Sequence, residues 1–339
     1  MMQRLRQNVE TRWYGKAGWL LLLWPLTGVF RLLAYLRRRR LQQHQVHLAA
    51  PIIIVGNIAV GGTGKTPLLI ALTRQLQAAG LKPGVISRGY GARVESPVVQ
   101  LVQTDSNSDD VGDEPLLIAR ATECPVAVCN DRVAAATQLI ASGCTIILSD
   151  DGLQHYTLAR DLEIMVVDAR RGFGNGFCLP VGPLREPIKR LREVDWVVRN
   201  GSHPCAQLEL FSPVPMHLRP LVWVNVKTGE RRPLDNTDWL REPAYAVAGI
   251  GNPQRFFDSL NDLGLTVFPR AFPDHHGYTE QDFKDFSEEV VIMTGKDAVK
   301  CQSFARDHWW YLDVAAELPE SFCRAFVARA QALVSVKLP

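Results

Sequence analysis

The residues with the clearest potential for chemistry form a glycine-rich run that ends in Gly-Lys-Thr at residues 64–66. An apolar segment typical of a buried strand precedes the run, and residues 68–79, which have the pattern of a helix, follow it. Glycine-rich backbone at a helix N-terminus can surround a polyphosphate with N–H groups. Lys65 would then reach the terminal phosphates, and the Thr66 hydroxyl would bind Mg²⁺. The run therefore predicts a nucleotide-binding P-loop.

The nucleotide would contact one continuous stretch of this loop. The predicted contacts are Ala59, Val60, Gly61, Gly62, Thr63, Gly64, Lys65, Thr66 and Pro67. The usual pattern opens with glycine where this chain has Ala59, but the remainder, Gly-Gly-Thr-Gly-Lys-Thr, is complete. The alternative is a glycine-rich turn in which the lysine and threonine occur by chance.

Two acids, Asp150 and Asp151, directly follow the apolar segment 145–148. An apolar strand that ends in acid is the Walker-B arrangement, which holds Mg²⁺ directly or through water. The alternative is a simple Asp-Asp-Gly turn. Because ligands of open α/β sheets bind at the carboxyl ends of the strands, the P-loop in the same predicted sheet favours the metal interpretation.

A charged pair, Arg185 and Glu186, stands between two prolines in the sequence GPLREP. The prolines restrict the backbone and so fix the directions of the two side chains. Arg185 could stabilise charge on a transferring phosphoryl group, and Glu186 could bind metal. A surface ion pair is the alternative.

The densest cluster of acid and imidazole is Asp274, His275 and His276. Histidine can accept a proton from a hydroxyl near neutral pH, and a carboxylate partner selects its tautomer. Adjacent histidines can also bind metal, although no cysteine or third histidine stands nearby at ligand spacing. A third interpretation is a helix cap by Asp274 with exposed histidines.

The elements that must position these residues alternate between strand and helix. This alternation predicts a P-loop NTPase-like, doubly wound and mostly parallel sheet, followed by a second, smaller α/β lobe. We expect Asp113 to be the N-cap of a helix over 114–122. The predicted segments are an N-terminal helical segment (1–46), a P-loop core (47–200), a linker or antiparallel insert (201–243) and the second lobe (244–339).

The charge of the chain is concentrated at one end. The formal net charge is only +3, yet residues 1–46 carry nine Lys or Arg and one acid, Glu10. A basic terminus on an otherwise acidic body does not predict nucleic-acid binding. Seven cysteines without a C-x-x-C pair indicate reduced thiols rather than a disulfide framework.

The basic terminus also contains an apolar segment, residues 17–30, which is closed further on by the arginine block 37–40. Fourteen apolar residues are fewer than the ~20 that span a bilayer, and Pro25 would kink a helix. The tryptophans and arginines favour a helix lying at an anionic membrane surface. The alternative is a helix packed on the protein's own core.

Taken in order, six motifs resemble the tetraacyldisaccharide 4′-kinase family of Gram-negative bacteria. They are GNIAVGGTGKTP, SRGYG (87–91), GDEP (112–115), SDDGLQHY (149–156), GPLREP (182–187) and FPDHHGY (272–278). The resemblance implies transfer of the γ-phosphate of ATP to the 4′-hydroxyl of an acylated disaccharide 1-phosphate, with Mg²⁺ as cofactor. It implies work at the cytoplasmic face of the inner membrane, and we expect a monomer.

The resemblance also implies roles for individual residues. An Asp–His pair would activate the sugar hydroxyl, and by motif the pair is Asp113 with His275, or with His276 as the less favoured candidate. The further residues that match the family are Lys65 and Thr66 in the P-loop, Asp150, Asp151 and Glu186 as acids for Mg²⁺ and phosphate, and Arg185, Gln154 and His155 in the same site. Gly295 stands where the family commonly has glutamate, which leaves Lys296 and Asp297 as minor candidates.

Two other classes of function would also use a P-loop. A membrane-recruited NTPase switch is one, but its guanine signature Asn/Thr-Lys-x-Asp is missing, since residues 294–297 read Thr-Gly-Lys-Asp. A kinase for another small molecule, or a nucleotide-dependent binding protein without turnover, is the other. The latter needs no base beside the γ-phosphate.

Overall fold

The computed structural model describes residues 2–89, 98–240, 244–286 and 288–337. Tyr90 and Gly91, the last two residues of the SRGYG motif, lie outside these ranges. The α-helices in the described residues are α1 (Met2–Trp13), α2 (Trp24–Gln42), α3 (Lys65–Ala78), α4 (Ser108–Val111), α5 (Asp113–Thr122), α6 (Arg132–Ala141), α7 (Ala206–Glu209), α8 (Pro253–Asp262), α9 (Gly295–Cys301) and α10 (Glu320–Lys337). Short 3₁₀ turns cover Gly18–Leu23, Ile188–Glu193, Glu280–Phe283 and Gln302–Phe304.

The strands of the described residues belong to one sheet. They are β1 (Ile52–Gly56), β2 (Pro83–Ser87), β3 (Gln100–Val102), β4 (Val126–Val128), β5 (Ile146–Asp150), β6 (Leu162–Asp168), β7 (Trp196–Asn200), β8 (Val214–Asn225), β9 (Arg231–Pro233), β10 (Ala244–Ala248), β11 (Phe268–Ala271), β12 (Val290–Thr294) and β13 (Trp309–Glu317).

The order across the sheet is β11-β10-β12-β13-β8-β7-β6-β1-β5-β2-β4-β3, with β9 on β8. Strands β4, β2, β5, β1, β6 and β7 are parallel, and so are β13, β12, β10 and β11. The direction in which successive strands are added to the sheet reverses at β1. The chain continues from β1 to β2 on one side of β1, whereas β6 pairs with β1 on the other side. Ligands of doubly wound sheets bind at such a point. The predicted fold class, a doubly wound and mostly parallel α/β sheet with a second α/β half, is confirmed.

Strand β8 joins the two halves of the sheet. Its first residues pair in parallel with β7, and its remainder pairs antiparallel with β13. The segment 201–243, predicted as a linker or insert, therefore contributes a strand in the middle of the sheet. The division of the chain into domains remains a prediction.

The core lies on both faces of the sheet because side chains alternate along each strand. On β1, Ile53 and Val55 pack in the apolar layer that contains α3, α5 and α10. Ile52 and Ile54 face the other layer, which contains α6. Since parallel strands are covered by helices on both faces, β1 reads as a continuous apolar run.

The segment Gly18–Gln42, which we call the N-terminal helix, leaves most of its apolar surface uncovered. It consists of a 3₁₀ turn and α2. It is long and apolar enough to cross a membrane by length and composition alone, and only 11% of its most apolar window is buried. Within it, the buried residues are Leu20 and Thr27. The alternative of a helix packed on the protein's own core does not fit this exposure.

Candidate active site

The P-loop joins β1 to α3, and its shape depends on glycine at two positions. Gly61 has φ of 105° and Gly64 has φ of 88°, values that other residues rarely adopt. Gly64 is also the N-cap of α3, so Lys65 and Thr66 open the helix. The predicted strand, glycine-rich loop and helix are therefore present in the expected order.

The departure at Ala59 has a structural explanation. Ala59 forms an isolated antiparallel bridge with Leu184 and is buried. In the same pairing, Val60 N donates to Pro183 O at 2.9 Å, and Arg185 N donates to Ile58 O at 2.6 Å. Extended backbone of this kind needs no glycine. Because the Val60 N–H is bonded to Pro183, it is not available to a phosphate, although Val60 was predicted as a nucleotide contact.

Two asparagines that sequence reasoning missed hold the P-loop in place. Asn57 donates to Ala59 O at 2.8 Å and accepts from Lys65 Nζ at 3.3 Å. Asn200 donates to Thr63 O at 2.9 Å. Both stand at or just after the carboxyl end of a strand, β1 and β7 respectively. That position is the signal that could have identified them.

Asp150 ends β5 beside the P-loop lysine, and Asp151 follows it directly. Asp151 Oδ1 lies 3.4 Å from Lys65 Nζ, and Asp151 Oδ2 accepts from Arg185 Nη1 at 3.0 Å. Asp150 Oδ2 accepts from Ser87 Oγ at 3.2 Å. The other Asp150 oxygen, Oδ1, is buried with no hydrogen-bond partner in the described residues. This oxygen has unused acceptor capacity at the position where Walker-B acids hold Mg²⁺.

The two acids differ in their affinity for a proton. Burial raises the pKa of Asp150 to about 7, and the charges of Glu114 and Asp151 add to this effect. Burial would also raise the pKa of Asp151, but the charges of Lys65 and Arg185 hold it well below its usual value. A cation near Asp150 would favour its ionised form.

Glu186 lies in the same site, but its oxygens are engaged elsewhere. Oε1 accepts from Gln154 Nε2 at 2.8 Å, and Oε2 accepts from the Tyr156 hydroxyl at 2.6 Å. Arg190 Nε is 3.6 Å from Oε2. Among the described residues, no group of three or more His, Cys, Asp or Glu side chains is placed to hold a metal ion. The metal role of Glu186 remains a prediction.

Gln154 and His155 follow the acids, on the loop after β5. Gln154 Oε1 accepts from Arg185 Nη1 at 3.4 Å and so links Arg185 to Glu186. His155 Nε2 lies 3.3 Å from the Thr157 hydroxyl. Burial, followed by the charge of Arg132, lowers the pKa of His155 to about 4. His155 is therefore neutral near pH 7.

Asp113 and His275 meet, as the resemblance implied. His275 Nδ1 lies 3.2 Å from Asp113 Oδ2, while His276 Nε2 is 3.3 Å from Asp282 and its ring stacks on Phe272. Asp113 is the first residue of α5 and Gly112 is its N-cap, so the expectation that Asp113 caps this helix is wrong. The structure thus distinguishes the two histidines that the sequence left open.

Charges around Asp113 keep it ionised. Burial would raise the pKa of Asp113, but contact with His275 and the ammonium groups of Lys296 and Lys300 keep it below the usual value. His275 has φ of 60°, a left-handed conformation that is strained for a residue other than glycine. Asp151, with φ of 47°, shares this feature. Such strain persists where the surrounding structure holds it, and it occurs often at functional sites.

The minor candidates Lys296 and Asp297 have different surroundings. Lys296 Nζ contacts the Asp113–His275 pair, with His275 Nε2 at 3.2 Å. Asp297 is fully buried and accepts from Gly249 N at 2.9 Å and from the Thr294 hydroxyl at 2.6 Å. Asp297 therefore holds the start of α9 and the loop after β10, whereas Lys296 faces the site.

One cleft of about 2080 Å³ connects these groups. It extends from the arginine-rich end of α2, past the P-loop, to His275. The predicted site residues that line it are Val60, Gly61, Gly62, Lys65, Asp150, Asp151, Gln154, His155, Arg185, Glu186 and His275. Ala59, Thr63, Gly64, Thr66, Pro67 and Asp113 do not line it. A polyphosphate cradle, two acids, an arginine and an imidazole lie along one cleft, and Asp113 contacts that imidazole from behind the cleft lining. Such a set can perform phosphoryl transfer to a hydroxyl.

Comparison with known proteins agrees with this geometry. Residues 19–331 match the family described as "LpxK: Tetraacyldisaccharide-1-P 4'-kinase". A tetraacyldisaccharide 4'-kinase of Methylobacillus flagellatus is 46% identical over all of both chains, and one of Hahella chejuensis is 45% identical over 97% of this chain and 98% of its own. A crystal structure of LpxK from Aquifex aeolicus in complex with ATP superimposes with a TM-score of 0.71 at 25% identity, over 92% of this chain and 99% of that one. The chain belongs to the tetraacyldisaccharide 4′-kinase family.

Proposed function

We propose that this chain transfers the γ-phosphate of ATP to the 4′-hydroxyl of a tetraacylated glucosamine disaccharide 1-phosphate, with Asp113 and His275 as the pair that activates the hydroxyl. The observation that carries the assignment of the pair is the 3.2 Å approach of His275 Nδ1 to Asp113 Oδ2, in the cleft that also contains Lys65. A nucleotide-binding protein without turnover has no need of such a pair.

In this mechanism His275 receives the proton at Nε2. Since Nδ1 faces the Asp113 carboxylate, Nε2 is the ring atom left to accept a proton from the sugar hydroxyl. The O–H bond breaks, a new O–P bond forms to the γ-phosphorus, and the bond from that phosphorus to its bridging oxygen breaks. The electron pair of that bond leaves with ADP. Asp113 stabilises the imidazolium, and both groups act through position and charge.

Two cations of the chain would contact the phosphates of bound ATP. Lys65 stands at the start of α3, where it would reach the transferring group. Arg185 is held by Asp151 and Gln154, so its guanidinium is directed before the substrate binds. Such preorganised charge lowers the barrier because it needs no rearrangement during the reaction.

The residues beside the P-loop fit Mg²⁺. The unpartnered Asp150 Oδ1 and the Thr66 hydroxyl are the oxygens of this chain that would hold it, and Asp151 stands next to them. Mg²⁺ is commonly held by one or two carboxylates together with substrate phosphates and water. When bound, Mg²⁺ neutralises charge on the phosphate oxygens.

The N-terminal helix would bring the enzyme to an acylated substrate in the membrane. Leu22, Trp24 and Leu33 on this helix are exposed, and Arg31, Arg37 and Arg39 line the adjoining cleft. An exposed apolar face beside arginines suits an anionic bilayer surface. We propose peripheral attachment at the cytoplasmic face of the inner membrane, by a chain that acts as a monomer.

The test is an assay of nucleotide consumption with two acceptors and two nucleotides, and with a control that lacks acceptor. We expect turnover with a tetraacylated disaccharide 1-phosphate and ATP, and at most traces with glucosamine or with GTP. In Asp113→Ala and His275→Ala, kcat should fall by ~100-fold or more while nucleotide binding changes little. Unchanged kcat in both variants would contradict the proposed pair, and hydrolysis without any acceptor would favour an NTPase switch.

A further inference from the structure

Lys296, the second residue of α9, makes a set of contacts that have no role in the proposed reaction. Its Nζ lies 3.1 Å from Glu114 Oε1, 3.2 Å from Asp274 Oδ1 and 3.2 Å from His275 Nε2. Asp113 Oδ2 is 3.8 Å away. The lysine side chain is mostly buried, so this ammonium group is held among two carboxylates and the imidazole rather than solvated.

The contact with His275 defines where the imidazole proton lies. A lysine ammonium has three N–H donors and no acceptor. At 3.2 Å from Lys296 Nζ, Nε2 of a neutral His275 must therefore present its lone pair. The single ring proton is then on Nδ1, which faces Asp113 Oδ2 at 3.2 Å. This tautomer is the one that leaves Nε2 ready to accept a proton.

We propose that Lys296 is a positioning residue, which keeps the ring proton of His275 on Nδ1 and occupies Nε2 until the acceptor hydroxyl replaces it. This inference rests on the proposed function, since it assigns a role to Lys296 only through the Asp113–His275 pair. The lysine itself exchanges no proton in the reaction.

The numbers of hydrogen-bond donors and acceptors around Lys296 allow the acceptor hydroxyl to replace it at Nε2. Lys296 has three N–H groups and three acceptors close by, on Glu114, Asp274 and His275. When the sugar hydroxyl takes the place at Nε2, the two carboxylates still hold the ammonium beside the new oxygen. Each bond to a carboxylate joins two opposite charges, whereas the bond to the neutral imidazole has a charge on the donor alone. The contact with His275 is therefore the weakest of the three and the one to break.

The same contacts connect the two halves of the sheet. Lys296 belongs to α9, which follows β12 of the second half, and Glu114 belongs to α5 of the first half. His275 is on the second half and Asp113 is on the first. By binding Glu114 and Asp274 together, Lys296 therefore keeps the histidine at its distance from the aspartate.

Four charged groups surround His275 and its partner Asp113. Asp113 faces Nδ1, Asp274 Oδ1 lies 3.9 Å from Nε2, and Lys296 adjoins Nε2. Lys300 Nζ lies 3.8 Å from Asp113 Oδ2 and pairs with Asp297 at 2.9 Å. Of the two lysines, Lys296 is therefore the one placed to control which ring nitrogen carries the proton.

The decisive experiment combines nitrogen NMR with steady-state kinetics of the full-length enzyme. With ¹⁵N-histidine labelling, and His275 assigned by loss of its signals in His275→Gln, neutral His275 of the unsubstituted enzyme should carry its proton on Nδ1. In Lys296→Met the ring should become a mixture of tautomers. We expect kcat to fall ~10-fold or more, with KM for ATP little changed.

Two variants separate position from charge. Lys296→Arg keeps a cation and donors at the same place, and should retain the Nδ1–H tautomer and most of kcat. Lys300→Met removes a cation equally distant from Asp113 Oδ2 that pairs with Asp297 at 2.9 Å, so the tautomer should stay as it is. If Lys300→Met changed the tautomer as much as Lys296→Met does, general charge would explain the effect and the inference would fail.

Failure of this inference is distinguishable from failure of the proposed function. An Nε2–H tautomer in the unsubstituted enzyme overturns the inference without any variant, so a poorly folded Lys296→Met cannot leave the question open. An unchanged tautomer in folded Lys296→Met overturns it as well. In either case a large loss of kcat in Asp113→Ala and His275→Ala would leave the proposed function intact.

Discussion

Gly251, on the loop after β10, lies directly against Gly62 of the P-loop. A Cβ atom on Gly251 would stand 2.2 Å from the backbone nitrogen of Gly62, so no side chain fits between them. Arg171 Nη2 donates to Gly251 O, and its guanidinium lies 4.9 Å above the ring of Tyr14. The Tyr14 hydroxyl donates to Val60 O at 3.0 Å. The second half of the chain and the N-terminal segment therefore both meet at the phosphate loop.

This contact predicts that Gly251→Ala separates the two halves. The methyl group would collide with backbone, which cannot move aside as a flexible side chain can. Because His275 and Lys65 come from opposite halves, we expect kcat/KM to fall by about 10- to 100-fold, as a misplacement of ~1 Å can produce. Small-angle scattering of the variant should show a more open particle.

The matched control is Gly277→Ala, which adds the same methyl group to the same half. A Cβ on Gly277 meets nothing within 4 Å, and its φ is not positive. Activity should stay within about twofold. Full activity in Gly251→Ala would mean that close approach of these two loops is not needed for turnover.

The two adjacent histidines should differ sharply in their effect on kcat. His275 contacts Asp113, whereas His276 contacts Asp282 and stacks on Phe272. We therefore expect His275→Ala to lower kcat by ~100-fold or more and His276→Ala to act mainly on stability. Steady-state kinetics and thermal melting of both variants check this. Equal losses of kcat would contradict the assignment of His275.

The residues that the sequence could identify are those with a local pattern. Lys65 and Thr66 follow a glycine-rich run between strand and helix, and Asp150 follows an apolar strand. Since parallel strands end at one edge of the sheet, their proximity could be predicted without coordinates. The pair Asp113 and His275 came from the resemblance, because nothing in the local pattern relates two residues so far apart.

The remainder depended on contacts between distant segments. Asn200 and Arg171 act through neighbours more than 20 residues away, which no periodicity encodes. Lys296 was named as a minor candidate, but its contact with Glu114 could not be predicted. The central position of β8 in the sheet could not be predicted either, because β8 pairs with β7 at one end and with β13 along the rest. Its twelve residues contain two prolines, and a strand with proline reads as an edge strand or a linker.

Substitution of the acids should separate metal binding from positioning. Asp150→Asn removes charge from the carboxylate with the unpartnered oxygen, so the Mg²⁺ concentration for half-maximal activity should rise by about tenfold. Glu186→Gln changes a carboxylate that already accepts from Gln154 and Tyr156, and should affect melting temperature more than Mg²⁺ requirement. A Mg²⁺ titration of activity checks both. A larger shift in Glu186→Gln than in Asp150→Asn would indicate that Glu186 is the metal ligand.

The exposed face of the N-terminal helix should determine binding to vesicles. Leu22 is 82% exposed, and a glutamate there would oppose insertion of the helix into an anionic surface. We expect Leu22→Glu to weaken sedimentation with vesicles containing anionic lipid and to raise the apparent KM for micellar substrate. Leu210→Glu is the control, because Leu210 is also 82% exposed but lies in the turn that follows α7. Equal binding by both variants would contradict attachment through this helix.

His155 should make the folded protein less stable in mild acid. Burial and the charge of Arg132 lower the pKa of His155 to about 4, whereas an unfolded histidine has a pKa near 6.5. Above pH 6.5 neither state holds the extra proton. Between pH 6.5 and 4 only the unfolded chain takes it up, so the free energy of unfolding decreases as the pH falls. In His155→Gln a neutral amide replaces the imidazole, so this contribution to the pH dependence of stability is lost.

We therefore expect the melting temperature to fall less in His155→Gln than in the unsubstituted protein when the pH is lowered from 7.5 to 5. His217→Gln is the control, since His217 is exposed on β8 and its loss should leave the pH dependence of melting unchanged. The same variants can also be compared with ATP bound, because His155 lines the cleft. If the neutral ring contacts the nucleotide, His155→Gln should also reduce the rise in melting temperature that ATP causes at pH 7.5. A parallel pH dependence in all three proteins would show that the surroundings of His155 do not exclude its proton.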